Sequence, residues 1–174
     1  MSKFSSFFLL GLTLMAAACQ TPIKPAIIPP VEVQKTTTPG LEIIGGVEPV
    51  YFLPMKTPFA SRIDTGAETS SVDVDSIRPF ERDGEKWVRF TMMNMATNET
   101  HTFEKRIVRK TVIRRIHKDE QRYVVNMDIK IGKELINADF TLAKRDKFSY
   151  QGLIGRNILN GRFIIDPSIE NTLR

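Results

Sequence analysis

Residues 62–74 read RIDTGAETSSVDV, and the role of the aspartate in this stretch decides how the chain is read. An apolar approach ends in Asp64, Thr65-Gly66 follows at once, and small polar residues come next. Asp and Gly are turn residues, so a solvated turn would give this pattern. So would an aspartate held at a strand end for chemistry. Two carboxylates that share a proton can hydrolyse an amide without a covalent intermediate. One acts as base on a water, and the other donates to the carbonyl oxygen. In such a loop Gly66 would let another backbone approach. The Thr65 hydroxyl could hydrogen-bond to a partner chain.

Around this stretch the sequence reads as short strands separated by turn signals. They are LEIIGGVEPVYFL (41–53), FASRID (59–64), KWVRFTMM (86–93), HTFEKRIVRKTVIRRIH (101–117), YVVNMDIKI (123–131), INADFTLA (136–143) and GRFIIDPS (161–168). The one helix candidate is GRNILNG (155–161), with Gly161 as its stop. The pattern predicts a mostly β domain over residues 42–172.

The first 41 residues read differently. Residues 1–18, MSKFSSFFLLGLTLMAAA, have a basic start, an apolar middle and small residues at the end, the pattern of a secretory signal peptide. Cys19 follows directly and is the one cysteine of the chain. This juncture resembles the lipobox of bacterial lipoproteins, which implies acylation of Cys19. The alternative is cleavage after Ala18 with a free thiol, a liability in an oxidising compartment. By the same resemblance Gln20 implies sorting to the outer membrane, on its periplasmic side. Residues 20–40 hold five prolines and read as an extended tether. Residues 19–41 are thus assigned to a lipidated cysteine and a Pro/Thr-rich tether.

The 174 residues carry a net charge of +5, and Lys3 is the only basic residue before Lys24. The folded part is therefore basic, which permits an acidic partner or anionic surface without specifying either. Residues 105–118 hold seven Lys or Arg, read as the solvated face of a hairpin. No aromatic stacking set is interleaved with them, which argues against nucleic acid. The histidines, His101 and His117, form no HExxH pattern, and no P-loop is present, so neither a metal nor another cofactor is expected. Asp166 before Pro167 reads as a strand-end cap, and Trp87 as core or interface.

A second motif raises the weight of Asp64-Thr65-Gly66. GLIGRNILNGRFIID (152–166) supplies two apolar residues, then Gly-Arg-Asn, then an apolar turn. The pair of motifs resembles the retropepsin family of aspartic peptidases. The resemblance extends to a bacterial family of retropepsin-like proteins often labelled ATP-dependent zinc proteases. Its recurring stretches stand here as DTGAETSS (64–71), FERDGEKWVRF (80–90), RYVVNMDIKIG (122–132), ADFTLAKRDKFSYQGLIGRNIL (138–159) and GRFIIDPS (161–168).

This resemblance implies half of an acid-protease β-barrel with one short C-terminal helix. It makes Asp64 the catalytic residue, supported by Thr65, Gly66, Ala67, Glu68 and Arg156, with Arg156 ion-paired to Glu68. It implies a homodimer, because the chain has one Asp-Thr-Gly and a dyad needs two. A peptide or protein substrate follows, with membrane attachment through the lipid anchor. It places a flap within 91–120, although residues 85–131 contain no glycine. Two readings stand: an aspartic endopeptidase, or a catalytically silent domain binding a peptide or envelope partner in the same groove.

Overall fold

The computed structural model describes residues 41–113, 119–144 and 148–173. The signal peptide, Cys19, the tether and His117 lie outside the described residues. The elements in chain order are β1 (Glu42–Gly45), β2 (Val47–Phe52), β3 (Phe59–Ile63), β4 (Ser70–Asp73), β5 (Asp75–Arg82) and β6 (Glu85–Met93). There follow β7 (Thr100–Ile113), β8 (Glu120–Ile131), β9 (Glu134–Ala143), β10 (Gly152–Ile154), α1 (Arg156–Leu159) and β11 (Phe163–Asp166).

One sheet runs β2-β3-β10-β4-β9-β8-β7-β6-β5, and β2 also pairs with β8. That extra pairing, Val50–Phe52 against Ile131–Ile129, closes six strands into a barrel. The fold is mostly β with one short helix, a retropepsin-like barrel. β7, β6 and β5 continue the sheet outward from the barrel. β1 and β11 form a separate parallel pair.

Alternation drives the closure. In β3, Phe59, Ser61 and Ile63 are buried while Ala60 and Arg62 are exposed, the period expected of a strand with one face on a core. Phe52 sits at the centre, with Phe59 and Phe140 edge-on at centroid distances of 5.3 and 5.2 Å. All three are essentially inaccessible to solvent. Each such side chain contributes roughly 1.5–3 kcal/mol of burial. The outer strands add Val88, Phe90, Met92 and Phe103 to the same core.

Three strands escape the sequence pattern. β4 and β10 have four and three residues, too short for a visible period. β5 has no buried residue and carries Pro79, which a central strand rejects but an edge strand tolerates. β5 is an edge of the sheet. At the C-terminus the folded body runs one residue past the expected 172, because Leu173 is buried.

The flap expectation falls on the β6–β7 and β7–β8 hairpins. The β6–β7 connection is not free: Glu99 accepts the N–H groups of Lys56 and Thr57, both at 2.8 Å. The β7–β8 connection, 114–118, lies outside the described residues. On β7 the basic residues are largely matched by acids, as a solvated face would have them. Lys105 faces Asp128 at 3.8 Å, Arg106 pairs with Glu85 and Arg109 with Asp139. Asp166 does cap its strand end, accepting the Ser168 N–H at 2.9 Å and its hydroxyl at 2.6 Å. Trp87 is only half-buried and lies outside the core cluster, packed beside Phe80 at 6.4 Å.

Candidate active site

β3 delivers Asp64 and β4 carries the chain away, yet these two strands do not pair with each other. β10 is inserted between them, parallel to β3 and antiparallel to β4. This insertion needs close approach. A Cβ at Gly152 would stand 2.1 Å from Ser61 Oγ. A Cβ at Gly155 would stand 2.9 Å from the Ala67 carbonyl oxygen and from the Thr69 backbone. Glycine is required at both positions by space, not by dihedral angle.

The loop 64–69 is then pinned from the C-terminal side. Asp64 N–H donates to the Ile154 carbonyl at 2.9 Å. Arg156 N–H donates to Ala67 O at 2.9 Å, and Asn157 N–H to Glu68 O at 3.2 Å. Asn157 Oδ1 accepts both the N–H and the hydroxyl of Ser70, at 2.9 and 2.8 Å. Asn157 Nδ2 donates to Asp139 O at 2.9 Å, tying the loop to β9. The Ser70 hydroxyl also accepts from Gly155 N–H at 2.9 Å.

Asp64 itself is half-buried. Its Oδ1 accepts the N–H groups of Gly66 at 2.9 Å and Ala67 at 3.2 Å. Among the described residues no hydrogen bond reaches Oδ2. One oxygen therefore fixes the carboxylate and leaves the other without a partner among the described residues, the arrangement a general base or acid needs. Thr65 is exposed, and among the described residues its hydroxyl has no partner. An open cleft of about 470 Å³ is lined by Asp64, Thr65, Arg62, Ile63, Gly46, Ile165 and Pro167.

One expectation needs correction. Arg156 braces the loop, but not through Glu68. Its Nη1 donates to the carbonyls of Thr65 at 3.0 Å and Gly66 at 2.8 Å. Among the described residues no ion pair joins Arg156 to Glu68, which is exposed. The loop turns its backbone carbonyls, not its acid, toward the helix start. Within the chain, what a Cβ at Gly66 would crowd is the Asp64 carboxylate, at 3.2 Å.

Ser70 and Asn157 were present in the quoted motifs but carried no assigned role. Their pairing spans 87 residues of chain, and no local pattern signals it. Among the described residues no group of three or more His, Cys, Asp or Glu is arranged to hold a metal.

Residues 43–173 match the model of the RimB-like family, described as retropepsin-like aspartic endopeptidase RimB. This chain belongs to the RimB-like family. The relatives of this RimB-like chain include a protein named "Probable alpha-L-glutamate ligase" from Desulfotalea psychrophila. It is 35% identical over 146 residues, which cover 76% of this chain and 29% of that protein. A protein of the same name from Shewanella pealeana is 33% identical, over 72% of this chain and 28% of its own length. The RimB-like chain thus spans under a third of these ligases, whose name describes the longer protein. Among solved structures it is similar to Lpg0085, a Legionella pneumophila protein of unknown function. The identity there is 28% and the TM-score 0.66, covering 76% of this chain and 98% of that one.

Proposed function

We propose that this chain is an aspartic endopeptidase that works as a homodimer, each copy supplying one Asp64. The observation that carries the reading is the Asp64 carboxylate. One oxygen is held by two N–H groups and the other has no hydrogen bond among the described residues. Across a two-fold axis, two such carboxylates ~3 Å apart cannot both ionise and would share a proton. The ionised Asp64 takes a proton from water as the water oxygen bonds to the peptide carbonyl carbon. The protonated Asp64 of the second copy gives its proton to the carbonyl oxygen. Breakdown of the resulting gem-diol cleaves the C–N bond, with a proton passing to the amine. The exposed Thr65 hydroxyl would reach across the same axis and lock the two loops.

The substrate on this reading is a peptide bearing glutamate. The relatives are named alpha-L-glutamate ligases, which points to glutamate as the residue beside the cleaved bond. The basic balance of the chain is compatible with an acidic substrate. We further propose that Cys19 is acylated and that the domain stands on its tether at the periplasmic face of the outer membrane. The leader sequence is the support. Labelled fatty acid should enter the wild type and not Cys19→Ser, and equal labelling would refute the anchor.

The central test is cleavage of glutamate-containing peptides by wild type and by Asp64→Asn across acid to neutral pH. The expected result is loss of turnover in Asp64→Asn with unchanged thermal stability, and wild-type activity that rises with the square of concentration at high dilution. Activity surviving in Asp64→Asn refutes the mechanism. An inert wild type that still binds peptide would replace it with the silent binding domain.

A further inference from the structure

The arginines of this domain are mostly engaged. Arg82 and Arg89 share Glu104, Arg106 pairs with Glu85, Arg109 with Asp139 and Arg122 with Glu120. Arg156 and Arg162 donate to backbone carbonyls. Arg62 differs. Among the described residues its guanidinium has no ion pair, hydrogen bond or ring contact. It is also the one basic residue among those lining the cleft that holds Asp64.

Its placement follows from the strand. Phe59, Ser61 and Ile63 turn inward, so Arg62 turns outward, two positions before Asp64. The flanking strands set Val47 and Leu153 beside it. Neither neighbour can accept a hydrogen bond through its side chain. The rest of the cleft offers Ile165 and Pro167, which are apolar, and Asp64 with Thr65 at the loop. A solvated arginine on a barrel wall is ordinary, and Arg78 on the edge strand β5 is likewise without a side-chain partner among the described residues. Of the two, Arg62 is the one that lines the cleft of the candidate catalytic aspartate.

We propose that Arg62 determines specificity: its guanidinium receives a carboxylate of the bound peptide next to the scissile bond. A guanidinium presents paired donors that fit a carboxylate bidentately, and an ammonium does not reproduce that geometry. The carboxylate comes from a glutamate or aspartate side chain or from the peptide's own C-terminus. The inference rests on Asp64 being the catalytic group, and it names what the same cleft selects.

The test uses the full-length chain in detergent and four matched peptides. Two carry Glu or Gln flanking the cleaved bond, and each is made with a free or an amidated C-terminus. Wild type should favour the carboxylate form by about tenfold or more in kcat/KM, as expected of a charge-assisted bidentate contact. Arg62→Gln should lose that preference, Arg62→Lys keep part of it and Arg62→Glu invert it, with the change in KM rather than kcat. Whether the preference follows Glu against Gln or acid against amide identifies the carboxylate.

Equal ratios in wild type and Arg62→Glu overturn the proposal. Binding of a fluorescein-labelled Ala-Glu copolymer peptide is measured in parallel on the Asp64→Asn background. Adding Arg62→Glu should weaken it by about tenfold or more. Unchanged affinity overturns the Arg62 role by itself. Turnover that survives Asp64→Asn overturns the catalytic reading instead, so the two failures are distinct.

Discussion

Replacing Glu48 by Gln should unfasten the C-terminal segment. Glu48 is on β2, fully buried, and faces no cation within ion-pair distance among the described residues. Its Oε1 accepts Gly45 N–H at 2.6 Å, Thr172 N–H at 3.2 Å and the Thr172 hydroxyl at 2.6 Å. Its Oε2 accepts Leu173 N–H at 3.0 Å. Alongside, Gly46 N–H donates to Ile169 O and Asn171 N–H to Val47 O, both at 2.8 Å. The tail thus covers the edge of β2 that β8 does not reach, since β8 pairs only from Val50 onward.

Glutamine in this position keeps one carbonyl for the three donors at Oε1 and turns an NH₂ toward Leu173 N–H. One buried donor is left unsatisfied, at about 1–3 kcal/mol. Three charge-assisted bonds become neutral and lose roughly half their strength. Together the loss is about 3–5 kcal/mol, or roughly 10–20 °C in Tm for a domain of this size. Urea unfolding followed by the single tryptophan, Trp87, and by far-UV circular dichroism measures it.

The loss should depend on pH. Burial pushes the Glu48 carboxyl up, but the bonds from the Thr172 hydroxyl and from the Leu173, Gly45 and Thr172 N–H groups outweigh it. They hold the carboxyl below its ordinary 4.5. Folding therefore favours the ionised form. Its contribution is complete above about pH 4.5 and falls away as pH drops through the lowered folded value. The stability gap between wild type and Glu48→Gln should accordingly narrow below that pH. A gap under about 1 kcal/mol at neutral pH, or one that does not narrow in acid, would refute the reasoning.

Two further outcomes are expected at the candidate site. Gly152→Ala drives a methyl to 2.1 Å from Ser61 Oγ between β3 and β10 and should cost about 1–3 kcal/mol, the range for overpacking. Ser61→Gly in the same chain should recover part of that in urea unfolding, and no recovery would place the strain elsewhere. Arg156→Met removes donors from the Thr65 and Gly66 carbonyls while Glu68→Gln removes a charge with no partner among the described residues. Arg156→Met should lower turnover and speed hydrogen exchange across 64–67 and Glu68→Gln should do neither; equal effects would restore the ion pair.

The sequence determined the strand-rich character, the helix at Gly-Arg-Asn and the identity of the candidate catalytic aspartate. Those features are local: alternation, turn residues and two short motifs state them within a few positions. The third dimension decided how the motifs act on each other. Whether β10 enters between β3 and β4 depends on atoms within 3 Å at Gly152 and Gly155, contacts between residues far apart in the chain. The same distance hid the partner of Arg156. The retropepsin resemblance implied Glu68, but the folded loop offers two carbonyls 90 and 91 residues away. Nothing in the pattern GGVEPV marks the role of Glu48, because its partners belong to a tail more than 120 residues later. Residue types reveal which chemistry is available. Only packing decides which donors each carboxylate and guanidinium meets, because hydrogen bonds are made at under 3.5 Å and sequence carries no distances.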